Sequence, residues 1–130
     1  MASSSSDKAA AGKKAALEGK NGPKARRFPR FPMDVRIQLQ VFREGTRSQC
    51  WGRTTELGQD GIGATVTGDL QVGETVSLEI PLPLSAYPLK VRAVVRYSNG
   101  LHYGFEFLTL TTEQRDRLQR VCHMLALGVG

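Results

Sequence analysis

Three arginines stand close together at a point where the chain changes character. Arg26, Arg27 and Arg30 lie within five residues, and Pro29 and Pro32 interrupt the same segment. Because proline fixes its own φ and disfavours helix in the residue before it, we expect this segment to be extended. A guanidinium group can donate two hydrogen bonds to a phosphate or to a guanine edge, and it can stack on a base. The segment therefore predicts an anion clamp, although a solvated basic linker has the same composition.

The net charge is concentrated in the same part of the chain. Residues 1–30 contain eight basic and two acidic residues, whereas residues 31–130 contain ten of each. The whole formal charge of +6 therefore belongs to the N-terminal part. A neutral body argues against a barrel that binds single-stranded nucleic acid in a basic groove. If an anion is bound, the arginine segment is where it is attracted.

A glycine-rich run is the second candidate for ligand chemistry. Residues 58–63 contain three glycines, and Glu56 precedes them. A dinucleotide fingerprint needs a helix after its glycines, whereas a strand pattern follows here, so the run predicts a tight turn and a close backbone approach. The Glu56 carboxylate could accept hydrogen bonds from a guanine edge, or it could be an exposed carboxylate paired with Arg53.

Patterns for catalysis or metal binding are missing from the sequence. Cys50 and Cys122 lie far apart, and His102 and His123 offer no close ligand set, so we expect no metal, no cofactor and no disulfide. No serine or cysteine has a histidine or carboxylate partner in a known motif, and we expect no enzymatic activity. No secretory leader and no apolar run of about 18 residues is visible, which favours the cytoplasm and no membrane span.

Six short stretches of the sequence could position these candidates. In each of them apolar and polar residues alternate, which is the pattern of a half-buried strand. Six antiparallel strands must close on themselves or stack to hide their edges. A six-stranded antiparallel β-barrel is the economical solution, and a β-sandwich is the alternative. The predicted strands lie at about residues 35–42, 49–57, 62–66, 76–80, 89–97 and 102–107.

The end of the chain has the period of a helix. Thr111 and Gln114 match a capping box. We therefore expect one domain over residues 26–127, a barrel followed by a C-terminal α-helix. Residues 1–25 bury too little apolar surface to offset their ordering entropy and predict a disordered basic tail. The apolar face of the helix consists of Leu118, Val121, Cys122 and Leu125.

Several single residues carry expectations of their own. Asn99-Gly100 predicts a type I′ hairpin turn before the last strand. Trp51 could stack on a base, but a lone tryptophan in a strand is more often packed in the barrel. His123 on the helix is expected to be partly buried. An aromatic stripe is expected in the core and consists of Tyr103, Phe105 and Phe107.

The order of these features resembles the PilZ domain family over about residues 26–127. An arginine segment precedes the first strand, and a glycine loop with a preceding carboxylate lies between the second and third strands. The chain then ends with Tyr103-Gly104-Phe105-Glu106-Phe107 and a helix. The resemblance implies a PilZ-like split barrel from bacteria that binds the second messenger cyclic di-GMP.

The resemblance also assigns the arginine motif of the family. This motif, Arg-x-x-x-Arg before the first strand, falls on Arg26 and Arg30, with Arg27 as a possible helper. These residues would grip the phosphates and guanine edges of the ligand.

The second family motif, Asp/Asn-x-Ser-x-x-Gly, falls on Glu56, Gly58 and Gly61. Glutamate replaces the shorter Asp or Asn and keeps an acceptor. Glycine replaces serine and removes a hydroxyl hydrogen bond of about 1 kcal/mol. The last glycine is retained.

Two functions follow from the resemblance. The first is a cyclic di-GMP receptor whose arginine hinge becomes ordered on ligand binding and relays the signal, with a protein partner and no nucleic acid. The alternative is a PilZ-like adaptor that does not bind the nucleotide and acts through protein contacts, which the changes at Glu56 and Gly58 motivate.

Overall fold

The computed structural model describes residues 28–128. The predicted disordered tail, residues 1–25, lies outside the described residues, and so do Arg26 and Arg27. Within the described range the chain forms seven strands and one helix. These are β1 (Phe31–Pro32), β2 (Arg36–Arg43), β3 (Thr46–Leu57), β4 (Gly61–Val66), β5 (Thr75–Ile80), β6 (Leu89–Asn99), β7 (His102–Leu108) and α1 (Thr112–Ala126).

Six of the strands close into an antiparallel barrel. Around the barrel the order is β2-β3-β4-β7-β6-β5, and the pairing of β5 with β2 completes the ring. β1 pairs with the end of β3 outside this ring. The predicted six-stranded barrel is confirmed. Closure of the barrel gives hydrogen-bond partners to the backbone N–H and C=O groups that would be unpaired at the edges of an open sheet.

The interior of the barrel follows the predicted alternation. Ile37, Leu39 and Val41 of β2 are fully buried, and the intervening residues face outwards. The predicted aromatic stripe in β7 also lies in the core, with Tyr103, Phe105 and Phe107 at most 7% exposed. Burying each large apolar side chain stabilises the fold by about 1.5–3 kcal/mol, so this alternation determines which strand face points inwards.

Two hairpins use different turns. Between β2 and β3, Glu44 and Gly45 both have positive φ, 50° and 77°, as a type I′ turn requires. Before β7, Asn99 is the last residue of β6 and pairs with His102, so the loop is Gly100-Leu101. Of these two only Gly100 has positive φ (63°), which is the geometry of a type II′ turn. The hairpin was predicted correctly, but its type I′ assignment is wrong because the register places Asn99 in the strand.

The helix covers the barrel with the predicted apolar face. Thr111 accepts from the backbone N–H of Gln114, and the Gln114 side chain accepts from the backbone N–H of Thr111, which completes the predicted capping box. Leu118, Val121 and Cys122 are buried in the core. His123 is exposed, so its predicted partial burial is wrong. One residue beyond Cys122 is a rotation of about 100°, which carries His123 off the buried face.

Trp51 lies on the outer surface, contrary to the prediction that it packs inside the barrel. Its neighbours Gly52 and Thr54 are the inward residues of β3, so the alternation turns Trp51 outwards. It is 38% exposed, and the guanidinium of Arg36 lies 4.3 Å from the centre of its ring. This stacking covers part of an aromatic surface that the core does not accommodate.

Candidate ligand site at the barrel entrance

The short strand β1 brings the two sequence candidates together. Phe31 pairs with Leu57 and Pro32 with Glu56, so the residues just before β1 lie beside the end of β3. Arg30 is thereby placed against Glu56 and Gly58. The predicted site residues Arg30, Glu56, Gly58 and Gly61 are therefore neighbours in the structure, whereas Arg26 and Arg27 lie outside its described part.

Arg30 contacts two carboxylates. Its Nη1 donates to Glu56 Oε2 at 3.3 Å, and its Nε lies 3.7 Å from Asp60 Oδ1. The side chain of Arg30 is only 13% exposed. Sequence reasoning did not assign a role to Asp60, because it lies at an unspecified position of the second motif. Its signal was its place inside the glycine loop, within reach of an incoming arginine.

The simpler interpretation of Glu56, an exposed carboxylate paired with Arg53, is wrong. Arg53 Nε donates instead to Asp34 Oδ1 at 2.8 Å. Glu56 is half-buried and pairs with Arg30. The alternation of β3 is interrupted by an irregularity between Thr54 and Glu56, which changes the direction of the Glu56 side chain.

Gly58 provides the space in which Arg30 lies. A Cβ at position 58 would be 2.6 Å from Arg30 Cδ and 2.8 Å from Arg30 Nε, so any other residue here would have to displace the arginine. The loop itself is tight, since the N–H of Gly58 donates to the carbonyl of Gly61 at 2.9 Å. The replacement of the family serine by glycine therefore has a local consequence beyond the lost hydroxyl.

Gly61 is required by the barrel. A Cβ at this position would lie 2.1 Å from the carbonyl oxygen of Phe105 in the paired strand β7. The same loop is fixed to β7 by the N–H of Phe107, which donates to the carbonyl of Asp60 at 2.9 Å. Gly61 thus holds the loop close to β7, and this packing role exists without a ligand.

A buried threonine fixes the approach of β1 to the barrel. Thr54 is 2% exposed, and its hydroxyl donates to the carbonyl of Met33 at 2.6 Å. The same oxygen accepts from the N–H of Val35 at 2.9 Å. Sequence analysis missed this role, since a threonine in a strand pattern gives no sign of pointing inwards.

The outer surface beside Glu56 carries aromatic and polar groups. Thr55 Oγ1 and His102 Nε2 lie 3.1 Å apart, which is hydrogen-bond distance. The ring of Tyr97 lies 5.9 Å from the ring of His102. On the other side of Thr55 an open groove of about 780 Å³ extends past Arg53 to Trp51. The flat rings of His102 and Tyr97 therefore lie on the surface beside Glu56.

Helix α1 brings Cys122 close to Arg30 and Asp60. The pKa of the Cys122 thiol is raised to about 11, mainly by burial and in smaller part by the nearby Asp60 carboxylate, whereas Arg30 acts in the opposite direction. Both cysteines are free thiols. At neutral pH Cys122 is therefore a neutral packing residue beneath the Arg30–Asp60 pair.

The described residues also limit other chemistry. Residues 28–128 contain no group of three or more His, Cys, Asp or Glu side chains that could hold a metal ion. In the same range, no helix has the length and apolar character needed to cross a membrane.

Comparison with known proteins connects this geometry to one family. A profile of the PilZ domain matches residues 24–123. A search of curated proteins finds no match. Among solved structures, the PilZ domain of YcgR from Escherichia coli with c-di-GMP is similar, with 18% identity, a TM-score of 0.59 and coverage of 81% of this chain and 94% of that one.

Two further structures have the same fold. The PilZ domain of CeSA from a cellulose-synthesizing bacterium has 16% identity and a TM-score of 0.57, covering 74% of this chain and 97% of that one. The MrkH–c-di-GMP complex of K. pneumonia has 14% identity and a TM-score of 0.59, covering 82% of this chain and 54% of that one. At these identities the likeness concerns the fold.

Proposed function

Because the chain belongs to the PilZ domain family, we propose that it is a cyclic di-GMP receptor that relays ligand binding to a protein partner in the bacterial cytoplasm. PilZ domains act as receptor and effector modules rather than as enzymes. The observation that carries the proposal is the convergence of Arg30, Glu56, Gly58 and Gly61 at the barrel entrance. Solved relatives such as YcgR and MrkH contain c-di-GMP.

The chemistry of these residues suits a ligand with two phosphates and two guanines. Arg30, together with Arg26 and Arg27, would donate to phosphate oxygens and to the acceptors N7 and O6 of guanine. Glu56 would accept from the guanine N1 and N2 donors. Ordering of the arginine segment around the ligand would then be the signal that a partner protein recognises.

Calorimetric titration with cyclic di-GMP tests this proposal. We expect the wild type to bind, and we expect Arg26→Ala and Arg30→Ala each to weaken binding at least 10-fold, since a hydrogen bond to a charged group contributes about 1.5–3 kcal/mol. Arg47→Ala is the matched control, because this exposed arginine is the second residue of β3, at the opposite end of the strand from Glu56. Its affinity should equal that of the wild type.

The adaptor function is the alternative outcome of the same titration. Two exposed side chains in the loop before β6, Leu84 (84%) and Tyr87 (75%), lie beside the start of that strand and offer apolar surface to a protein. No binding by the wild type at tens of micromolar ligand would contradict the receptor proposal. A double change Glu56→Asp with Gly58→Ser that then restored binding would identify the altered motif as the cause.

A further inference from the structure

The loop that the proposed ligand must reach already holds Arg30. Three residues, which we call the arginine seat, surround its side chain: Glu56, Gly58 and Asp60. Glu56 contacts the terminal nitrogen Nη1, Asp60 faces Nε, and Gly58 leaves space for Cδ. Arg30 is therefore in contact with acidic side chains, and its position is defined without a ligand.

The contact between Arg30 and Asp60 is close but poorly satisfied. The two atoms are buried and 3.7 Å apart, which is too long for a hydrogen bond. Among the residues that the structure describes, neither Arg30 Nε nor Asp60 Oδ1 has a hydrogen-bond partner. A buried donor or acceptor without a partner is energetically unfavourable. Its free energy falls when it is exposed to water or forms a hydrogen bond with a better partner. The seat thus holds Arg30 by charge while leaving its Nε donor available for a stronger acceptor.

The charge of the seat opposes an anionic ligand. The Arg30 guanidinium contributes one positive charge, whereas Glu56 and Asp60 of the seat contribute two negative charges. Arg30 and its seat together therefore have a formal charge of −1. Cyclic di-GMP carries two phosphates. A phosphate that approaches Arg30 must therefore replace a carboxylate as its partner and is also repelled by the carboxylates that remain.

We propose that Asp60 sets the ligand affinity of this protein by competing with the ligand phosphates for Arg30, and that Gly58 makes this competition possible by leaving space for the arginine. The inference rests on the proposed function. Asp60 acts through Arg30 and is a positioning residue. Ligand binding then requires the transfer of Arg30 from Asp60 to a phosphate, so that a weaker Asp60 contact gives a tighter complex.

The first test is Asp60→Asn, measured by calorimetric titration with cyclic di-GMP. Asparagine keeps an acceptor oxygen beside Arg30 and leaves the backbone carbonyl that accepts from Phe107 unchanged, so the fold is retained. We expect the affinity to rise about 3- to 5-fold, the upper end of the range for one solvent-accessible ion pair. A lower affinity would overturn the proposal, because it would mean that Asp60 prepares Arg30 for the ligand.

The matched control is Asp69→Asn. It makes the same change of charge at an exposed carboxylate in the loop after β4, at the opposite end of that strand from Asp60. Its affinity should stay within 2-fold of the wild type. An equal rise in both variants would show a general effect of net charge and would overturn the role of Asp60.

A double-mutant cycle separates action through Arg30 from direct repulsion of the ligand. In an Arg30→Ala background, Asp60→Asn should raise the affinity clearly less than in the wild type, since the competitor has lost its target and only direct repulsion remains. A gain as large as in the wild type would contradict the proposed route. Gly58→Ala is an independent test of the same inference. The added Cβ would occupy the space of Arg30 Cδ, so it should release the arginine from the seat and raise the affinity by a similar factor.

A measurement without ligand distinguishes failure of this inference from failure of the proposed function. In ¹⁵N-edited NMR spectra of the free protein, the Arg30 Nε–H signal should exchange with water slowly in the wild type and faster in Asp60→Asn and Gly58→Ala. Unchanged exchange would overturn the seat whatever the ligand does. Faster exchange with unchanged affinity would overturn only the competition, whereas no binding by any variant would overturn the receptor function and the competition together.

Discussion

At the scale of single residues, the space beneath helix α1 joins packing to charge. Cys122 is buried there, close enough to Asp60 and Arg30 for both to affect its thiol. Burial has the largest effect and favours the neutral thiol, because a thiolate would lose its hydration. The Asp60 carboxylate acts in the same direction by repelling a second negative charge.

This environment predicts a loss of stability in alkaline solution. The folded-state pKa of Cys122 is about 11, above its ordinary value of 9.0, so the folded protein holds this proton more tightly than the unfolded chain. The corresponding stability is fully present below pH 9 and is lost as the pH rises towards and through 11, by about 3 kcal/mol in all. Urea unfolding of wild type and Cys122→Ala between pH 8 and 10.5 measures the difference.

The variant Cys122→Ala should be less stable than the wild type at pH 8, because it leaves a small cavity, and this deficit should shrink as the pH rises. Cys50→Ala serves as the control, since that half-buried thiol is the other cysteine of the chain. A constant deficit for Cys122→Ala across the pH range would contradict the assignment.

At the scale of elements, the two-residue strand β1 determines where Arg30 lies. Its pairing with β3 covers only Phe31 and Pro32, and proline has no N–H to donate. The hydroxyl of Thr54 compensates for this short ladder by bonding to the carbonyl of Met33 and the N–H of Val35. One buried side chain thus connects the arginine segment to the barrel.

Replacing Thr54 with valine should loosen this connection. The shape is retained, but the N–H of Val35 and the carbonyl of Met33 lose a partner, which we expect to cost about 1–3 kcal/mol of unfolding free energy. Because Arg30 precedes β1, ligand affinity should fall as well. Thr65→Val, at an exposed position of β4, is the control for the change of residue type. Equal stability of the two variants in urea unfolding would contradict this role of Thr54.

The elements themselves were predictable, whereas their finer geometry was not. Alternation located the strands of the barrel, and the capping box at Thr111 located the helix, because both patterns are local. The outward position of Trp51 depends on which residues of β3 face inwards, and this is fixed by pairing with β2 and β4. Likewise, the Asn99-Gly100 pair indicated a hairpin, but strand register decided which residues form its turn.

The candidate site was also predictable in its membership but not in its contacts. The resemblance to the PilZ family implied that Arg30, Glu56, Gly58 and Gly61 belong to one site, because they occupy the positions of its two motifs. It did not indicate that Arg30 would occupy the space above Gly58 or would lie against Asp60. Those contacts depend on the distance between two loops, which spacing along a chain does not determine.

At the scale of the whole molecule, charge and fold are carried by different parts of the chain. Residues 31–130 are formally neutral, and all of the +6 net charge precedes them. The seat around Arg30 is itself acidic, with two carboxylates at one guanidinium. We therefore expect the N-terminal residues, which contain five lysines before Arg26, to attract the proposed dianionic ligand.

Replacing those five lysines with glutamine should slow ligand association on the order of 3- to 10-fold at low ionic strength, because electrostatic steering depends on net positive charge. The effect should decrease as salt is raised to 0.15 M, where the Debye length is about 8 Å. Stopped-flow association kinetics measure both, and the urea midpoint should be unchanged, since the barrel and helix lie entirely in the neutral part.

Replacing the same lysines with arginine keeps the charge and is the matched control, with an association rate within 2-fold of the wild type. If glutamine slowed association equally at low and high salt, the lysines would act through specific contacts with the ligand. If glutamine changed only the dissociation rate, their role would be to hold the bound nucleotide. Steering requires a salt-dependent loss in the association rate, because it acts over distance before any contact forms.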